Sequence, residues 1–204
     1  MSLKPSNPET LIDLLRHGEP MGGRRYRGQI DDPLSEKGWQ QMWHAASGAT
    51  PWQAIITSPL LRCSAFAEAL GERLGVAVEY EGRFREIGFG AWEGKTGDEL
   101  RREDPEQLRR FYQDPVAHRP AGAEPLADFV ARVGAGLAAT LERHAGRHLL
   151  IVAHAGVIRA AIAGALDIPP PALFRIEVQN AALSRLRGAG ERPAGLMFHG
   201  RERL

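Results

Sequence analysis

Two short apolar runs in this chain end the same way. Leu11–Leu15 leads into Arg16-His17-Gly18, and Leu149–Ala153 leads into His154-Ala155-Gly156. Runs of about five residues are too short for buried helices, and nearly continuous apolar character marks strands covered on both faces. Gln53–Thr57 reads the same way and Val76–Tyr80 is a shorter strand. Between them lie helical patterns. Ser35–Ser47 places Trp39, Met42, Trp43 and Ala46 at helical spacing. A helix from Pro59 carries Leu60, Cys63, Phe66, Ala67, Leu70 and Leu74 on one stripe. Leu126, Phe129, Val130, Val133, Leu137 and Leu141 line another helix, and Val157–Leu166 forms the last. Strands alternating with helices predict an α/β fold: a three-layer α/β/α sandwich around a mostly parallel central sheet.

Residues 92–125 interrupt this alternation. They are charged, hold Pro105, Pro115, Pro120 and Pro125, and contain short helical pieces at Asp98–Glu103 and Glu106–Tyr112. The expectation is a small helical insertion over the site, within one domain spanning 11–204 after a flexible N-terminus at 1–10. Leu173–Gln179 and Ala182–Leu186 alternate enough to suggest a late hairpin around Gln179-Asn180, with fewer than twenty residues following the last strand.

The 204 residues carry a net charge of +1, which gives no global pull toward nucleic acid or an acidic membrane. Lys occurs only at positions 4, 37 and 95, so Arg supplies most of the positive charge. A single cysteine, Cys63, excludes an internal disulfide, and its place on an apolar helix stripe suggests packing. No run approaches a bilayer span, and the polar start lacks a hydrophobic signal core, so a cytoplasmic enzyme is expected. His44, His118, His144, His148 and His199 match no metal spacing, and neither a metal nor a cofactor is expected.

In open α/β sheets, ligands sit beyond the carboxyl ends of the strands, where His17 and His154 fall. An imidazole can attack phosphorus when it is neutral, in line and facing a phosphoryl group whose charge is offset. Arg16 can offset it with a planar fork, and Gly18 lets backbone pass close by. Alone, Arg62 would read as a solvated helix residue, and Glu86 as a partner of Arg83 or Arg85. Their order along the chain sharpens the reading. Ser58-Pro59-Leu60-Leu61-Arg62 opens a helix after the second strand. Phe84-Arg85-Glu86-Ile87-Gly88-Phe89-Gly90-Ala91-Trp92-Glu93-Gly94 offers a carboxyl group in a glycine-rich, aromatic loop.

From about Leu11 to Leu186, these four ordered segments resemble the histidine phosphatase (phosphoglycerate-mutase-like) superfamily. The resemblance implies a metal-independent phosphatase in which His17 is phosphorylated, Arg16 and Arg62 hold the phosphoryl oxygens, and His154 completes the pocket. It puts Glu86 at the proton-donor position, with Gly18, Ala155 and Arg27 completing the contacts to a small-molecule phosphate ester. Glu93 more plausibly shapes its loop. Pro20, Gly23 and Phe66 depart from the usual pattern, and Arg24, Arg25 and Arg27 offer compensating charge. The Arg85–Gly94 run, the Gly22-Gly23-Arg24 loop and Asp31–Ser35 followed by Gly38, Trp39 and Met42 are most similar to alpha-ribazole phosphatases. Alpha-ribazole 5′-phosphate is therefore the implied substrate. The alternatives are a broad-specificity phosphatase, a phosphoglycerate-mutase-like enzyme, and a phospholigand binder without turnover. The sequence leaves a homodimer open.

Overall fold

The computed structural model describes residues 9–189 and 192–204. Its six-stranded sheet is built from β1 (Thr10–Arg16), β2 (Ala54–Thr57), β3 (Val78–Tyr80), β4 (His148–Ala153), β5 (Leu183–Ala189) and β6 (Arg192–Arg201). The spatial order is β3-β2-β4-β1-β5-β6. The first four strands in that order run parallel, and β5 and β6 are antiparallel additions. β4 lies directly beside β1 with Arg16 opposite Ala153, so the residues that follow these two strands are neighbours.

Helices cover both faces. Side chains alternate across each strand, so one face receives Ile12, Leu14, Ile56, Leu149 and Ile151. They pack beneath α5 (Leu126–Arg143) and α6 (Ala155–Ala165). The other face receives Leu15, Ile55, Leu150 and Val152 beneath α1 (Glu36–Ala45) and α2 (Leu61–Leu74). Ser35 caps α1 by accepting from the Gly38 N–H, and Gly75 ends α2 in the left-handed region at φ 65°. Phe66, which departs from the usual pattern, is fully buried with its ring 4.9 Å from that of Trp43. Pro20 forms an isolated bridge with Leu34.

Within residues 92–125, α3 (Gly97–Glu103) and α4 (Pro105–Gln113) bury a small cluster of their own, formed by Trp92, Leu100, Leu108 and Phe111. Partly buried Tyr26, Phe89 and Phe174 pack against that cluster and join it to the body of the domain.

Two sequence expectations need correction. Leu173–Gln179 is not a strand. Consecutive prolines start a 3₁₀ helix at Pro170–Arg175, because they fix φ and remove amide donors from any ladder. The antiparallel partner of β5 is instead β6, so residues 192–201 form a further strand beyond Leu186, the expected end of the last strand. The flexible segment expected at 1–10 lies outside the described residues up to position 8, whereas Thr10 is buried and opens β1.

Asp13 faces the same side of β1 as Leu15 and is fully buried. It accepts from Trp52 Nε1 at 2.7 Å, and Arg185 Nε and Nη2 reach it at 2.7 and 3.0 Å. His148 Nε2 lies 2.8 Å away. Burial opposes ionisation, but these partners outweigh it and hold the carboxyl below its ordinary value of 3.8. Asp13→Ala would strand Arg185 and is expected to cost about 3–5 kcal/mol in denaturant unfolding. A depressed folded pKa makes this contribution complete above the unfolded value and removes it as pH falls through the folded one. The stability gap to the variant should therefore persist from pH 7 downward and close only below about pH 4. Closure at higher pH would place the titrating group elsewhere.

Candidate active site

The ends of β1 and β4 bring the two histidines together. The His17 N–H donates to Ala153 O at 3.0 Å, and its carbonyl accepts from Ala181 N–H at 3.3 Å. The His17 and His154 rings meet edge to face with centroids 5.2 Å apart. His17 Nδ1 lies 2.7 Å from Gly18 O, a carbonyl that can only accept, so Nδ1 carries the proton and Nε2 keeps its lone pair. Burial, followed by the charges of Arg16 and Arg62, holds the ring well below its usual pKa of 6.5. At neutral pH it is an uncharged imidazole with a free nitrogen, the form that can act as a nucleophile.

Arg16 ends β1 and donates from Nη1 to Val178 O at 2.6 Å. Its Nε is buried without a partner. Among the described residues Nη2 meets no acceptor either, so the Nε/Nη2 edge, a geometry able to fork two oxygens, is unused. Burial lowers this guanidinium to about 10, which leaves it charged at neutral pH. A buried donor without an acceptor costs about 1–3 kcal/mol, a cost that an arriving oxyanion removes.

Arg62 is more deeply buried than Arg16 and differently engaged. It donates from Nε to His154 Nδ1 at 3.2 Å, from Nη1 to Ile30 O at 2.6 Å and from Nη2 to Gly28 O at 2.8 Å. Each terminal nitrogen still has one hydrogen to offer. Its contact with His154 fixes that ring's tautomer: Nδ1 accepts, so Nε2 donates to Ser58 Oγ at 2.8 Å. Burial, then Arg62, keeps His154 well below 6.5 and hence neutral.

Glu86 reaches the same place from the loop after β3. Its carboxyl accepts from Ile87 N–H at 3.0 Å and from Gly156 N–H, in the first turn of α6, at 3.2 Å. A Cβ on Gly156 would stand 2.2 Å from Glu86 Oε1, so glycine there makes room for the carboxyl. Arg83 pairs with Glu81 instead of Glu86. Glu93 accepts from Gln29 and Phe89 N–H groups and so shapes the loop.

The remaining sequence candidates divide by position. Ala155 starts α6, where its N–H bonds no acceptor among the described residues. Gly18 is needed for a reason other than ligand approach, since a Cβ there would lie 2.3 Å from Gly38 O of α1. Arg27 is buried, bonded to Asp32 at 2.9 Å and to Met21 O at 2.5 Å. Arg25 binds Gly22 O and Gly94 O, whereas Arg24 is exposed within electrostatic reach of Arg16.

Two arginines escaped the sequence reading. Arg159 donates to Ile176 O at 2.8 Å, two residues from the carbonyl that anchors Arg16, and lies over the Phe174 ring at 5.6 Å. Arg132 on α5 grips the backbone behind Glu86. Arg132 sits inside an amphipathic helix and carried no local signal, whereas Arg159 is the one charged residue in the otherwise apolar α6, a signal that could have found it. An open cleft of about 520 Å³ is lined by Gln29, Gly88, Gly90, Glu93, Gly122 and Glu124. It lies beside the Glu86 loop rather than against His17.

Comparison with known proteins fits this geometry. A curated relative, the bifunctional protein Rv2228c of Mycobacterium tuberculosis, is 35% identical over 181 residues, which are 86% of this chain and 49% of that protein. The chain thus spans about half the length of the curated relatives it matches first. Among solved structures, a mycobacterial glucosyl-3-phosphoglycerate phosphatase is 30% identical with a TM-score of 0.80, covering 93% of this chain and 97% of that one. An alpha-ribazole phosphatase from Shigella flexneri has a TM-score of 0.81 over 95% and 98% of the two chains, but at 23% identity it shows the fold alone. Residues 12–199 match the histidine phosphatase superfamily (branch 1), and the chain belongs to that superfamily.

Proposed function

We propose that this chain hydrolyses small phosphate monoesters through a phosphohistidine on His17. The observation that carries this reading is the unused Nε/Nη2 edge of Arg16, with Nε buried and unpartnered, beside a neutral imidazole whose Nε2 is free. In the first step, the P–O bond to the leaving group breaks as phosphorus bonds to His17 Nε2, and Glu86 gives its proton to the departing oxygen. In the second step, water attacks phosphorus while Glu86 takes a proton back, releasing inorganic phosphate and neutral His17. Arg16, the remaining hydrogens of Arg62 and the first amide of α6 stabilise charge on the equatorial oxygens.

For the leaving group, we propose a nucleoside-like ester, with alpha-ribazole 5′-phosphate first. The loop similarities support it, and so does an aromatic rim on the Arg159 side of the site. The Tyr26 and Tyr112 hydroxyls are 2.6 Å apart, and the Tyr112 ring centroid is 6.4 Å from that of Phe174. Flat rings suit a heteroaromatic base. Turnover of a panel holding alpha-ribazole phosphate, a sugar phosphoglycerate, 3-phosphoglycerate and nucleoside monophosphates tests both levels.

Guanidinium charge stands here where other phosphatases use a divalent ion. Phosphate release should therefore be undiminished in excess EDTA after exhaustive dialysis. Loss of activity that added metal restores would overturn the mechanism. Hydrolysis of every panel member at comparable kcat/KM would overturn the substrate but not the chemistry.

A further inference from the structure

Arg132 lies on α5, outside every motif that marks the site, yet all its hydrogen-bonding capacity is aimed at one stretch of chain. A guanidinium has five N–H donors. Nη1 donates to Arg83 O at 2.7 Å and Arg85 O at 2.8 Å. Nη2 donates to Glu86 O at 3.1 Å and Glu124 Oε2 at 2.8 Å. Nε donates to Glu124 Oε1 at 2.6 Å. Glu124 in turn accepts from Gly88 N–H at 3.2 Å, and its own N–H donates to Gly88 O at 2.9 Å. Arg132 and Glu124 thus hold segment 83–88 through its main chain. The Glu86 side chain leaves this grip to meet Gly156 N–H on α6.

We infer that Arg132 is a positioning residue for the Glu86 carboxyl, and that Glu124 ties this positioning to the end of the insertion over the site. The inference rests on Glu86 being the proton donor of the proposed reaction. Proton transfer needs hydrogen-bond reach to the leaving oxygen, and a shift of about 1 Å can cost on the order of 10²-fold. Fixing three carbonyls with one rigid, always charged fork sets both the height and the rotation of the loop. A lysine ammonium has three donors on a flexible stem and cannot reproduce that geometry.

General structural support and positioning of the acid differ in one readout. A nitrophenolate leaves without a proton, whereas an alkoxide needs one. Rapid-quench timing of His17 phosphorylation by an alkyl phosphate and by nitrophenyl phosphate should show Arg132→Lys and Arg132→Met slowed on the order of 10²-fold for the alkyl ester, with the nitrophenyl step nearly unchanged. Gly156→Ala crowds the same carboxyl from the opposite side and should give the same selective loss. Should the Arg132 variants fail to fold, Glu124→Gln keeps the shape, weakens the grip, and should give a smaller loss of the same selectivity.

Glu86→Gln is the reference. If it slows both esters equally, the proton-donor reading itself fails. If Glu86→Gln is selective while folded Arg132 or Glu124 variants slow both esters alike, or neither, Arg132 does not position the acid.

Discussion

A His17→Ala chain is expected to form no acid-labile phosphate and to lose on the order of 10⁴-fold or more in turnover. The ring is prepared for one task. Gly18 O binds the Nδ1 proton, burial among arginines removes the charged form, and Nε2 is left with a lone pair. His17→Asn retains a donor toward Gly18 O but no nucleophile, so it should be equally inactive, which separates chemistry from loop structure. The pH dependence has a definite sign. Because the folded pKa lies well below 6.5, the nucleophilic form persists as pH falls through that value, and the rate of phosphorylation should show its acid limb only at lower pH. Brief exposure to labelled ester, an alkaline quench and mapping of the label provide the measurement. Label on another residue, or an active His17→Asn, would sink the assignment.

Arg16→Lys should reduce kcat/KM on the order of 10²-fold or more, with little change in melting temperature. The expectation rests on the contrast between the half-buried Arg16 and the fully buried Arg62. Arg16 makes one bond to the protein, and its free edge is complementary to two oxygens. A lysine supplies charge but no fork, and the charge is worth most when it is already in place as negative charge develops on the phosphoryl oxygens. Arg62 is tied to two carbonyls and to His154, so Arg62→Lys should lower both activity and thermal stability. Kinetics and calorimetry on the two variants provide the comparison. Near-normal kinetics in Arg16→Lys would mean that its free edge does not meet phosphate.

What the sequence disclosed follows the range of its signals. Apolar runs are local, so the parallel strands and covering helices were legible. Glu86, Arg62 and both histidines sit beside strand ends or helix starts, where topology brings them together without further information. Arg132 was invisible because its partners are main-chain carbonyls 46 to 49 positions away, and a carbonyl leaves no mark in a sequence. The late strands were misread for another reason. Ile176 and Val178 keep an alternating pattern in extended chain while their carbonyls bind Arg159 and Arg16 instead of a neighbouring strand. β6 was missed because Arg192–Arg201 contains Pro193, Gly195 and Gly200, residues that normally argue against a strand.

Apart from the Arg132–Glu124 pair and the Arg62–His154 bond, Arg16, Arg62, Arg132 and Arg159 hold their positions through backbone oxygens: Val178; Gly28 and Ile30; Arg83, Arg85 and Glu86; and Ile176. An anchor of this kind is indifferent to the side chain carried at the anchoring position. Side chains at these anchoring positions can therefore change while the guanidinia stay where they are. On the proposed reaction, the chemistry would be inherited with the path of the chain, and substrate preference would be free to drift over it.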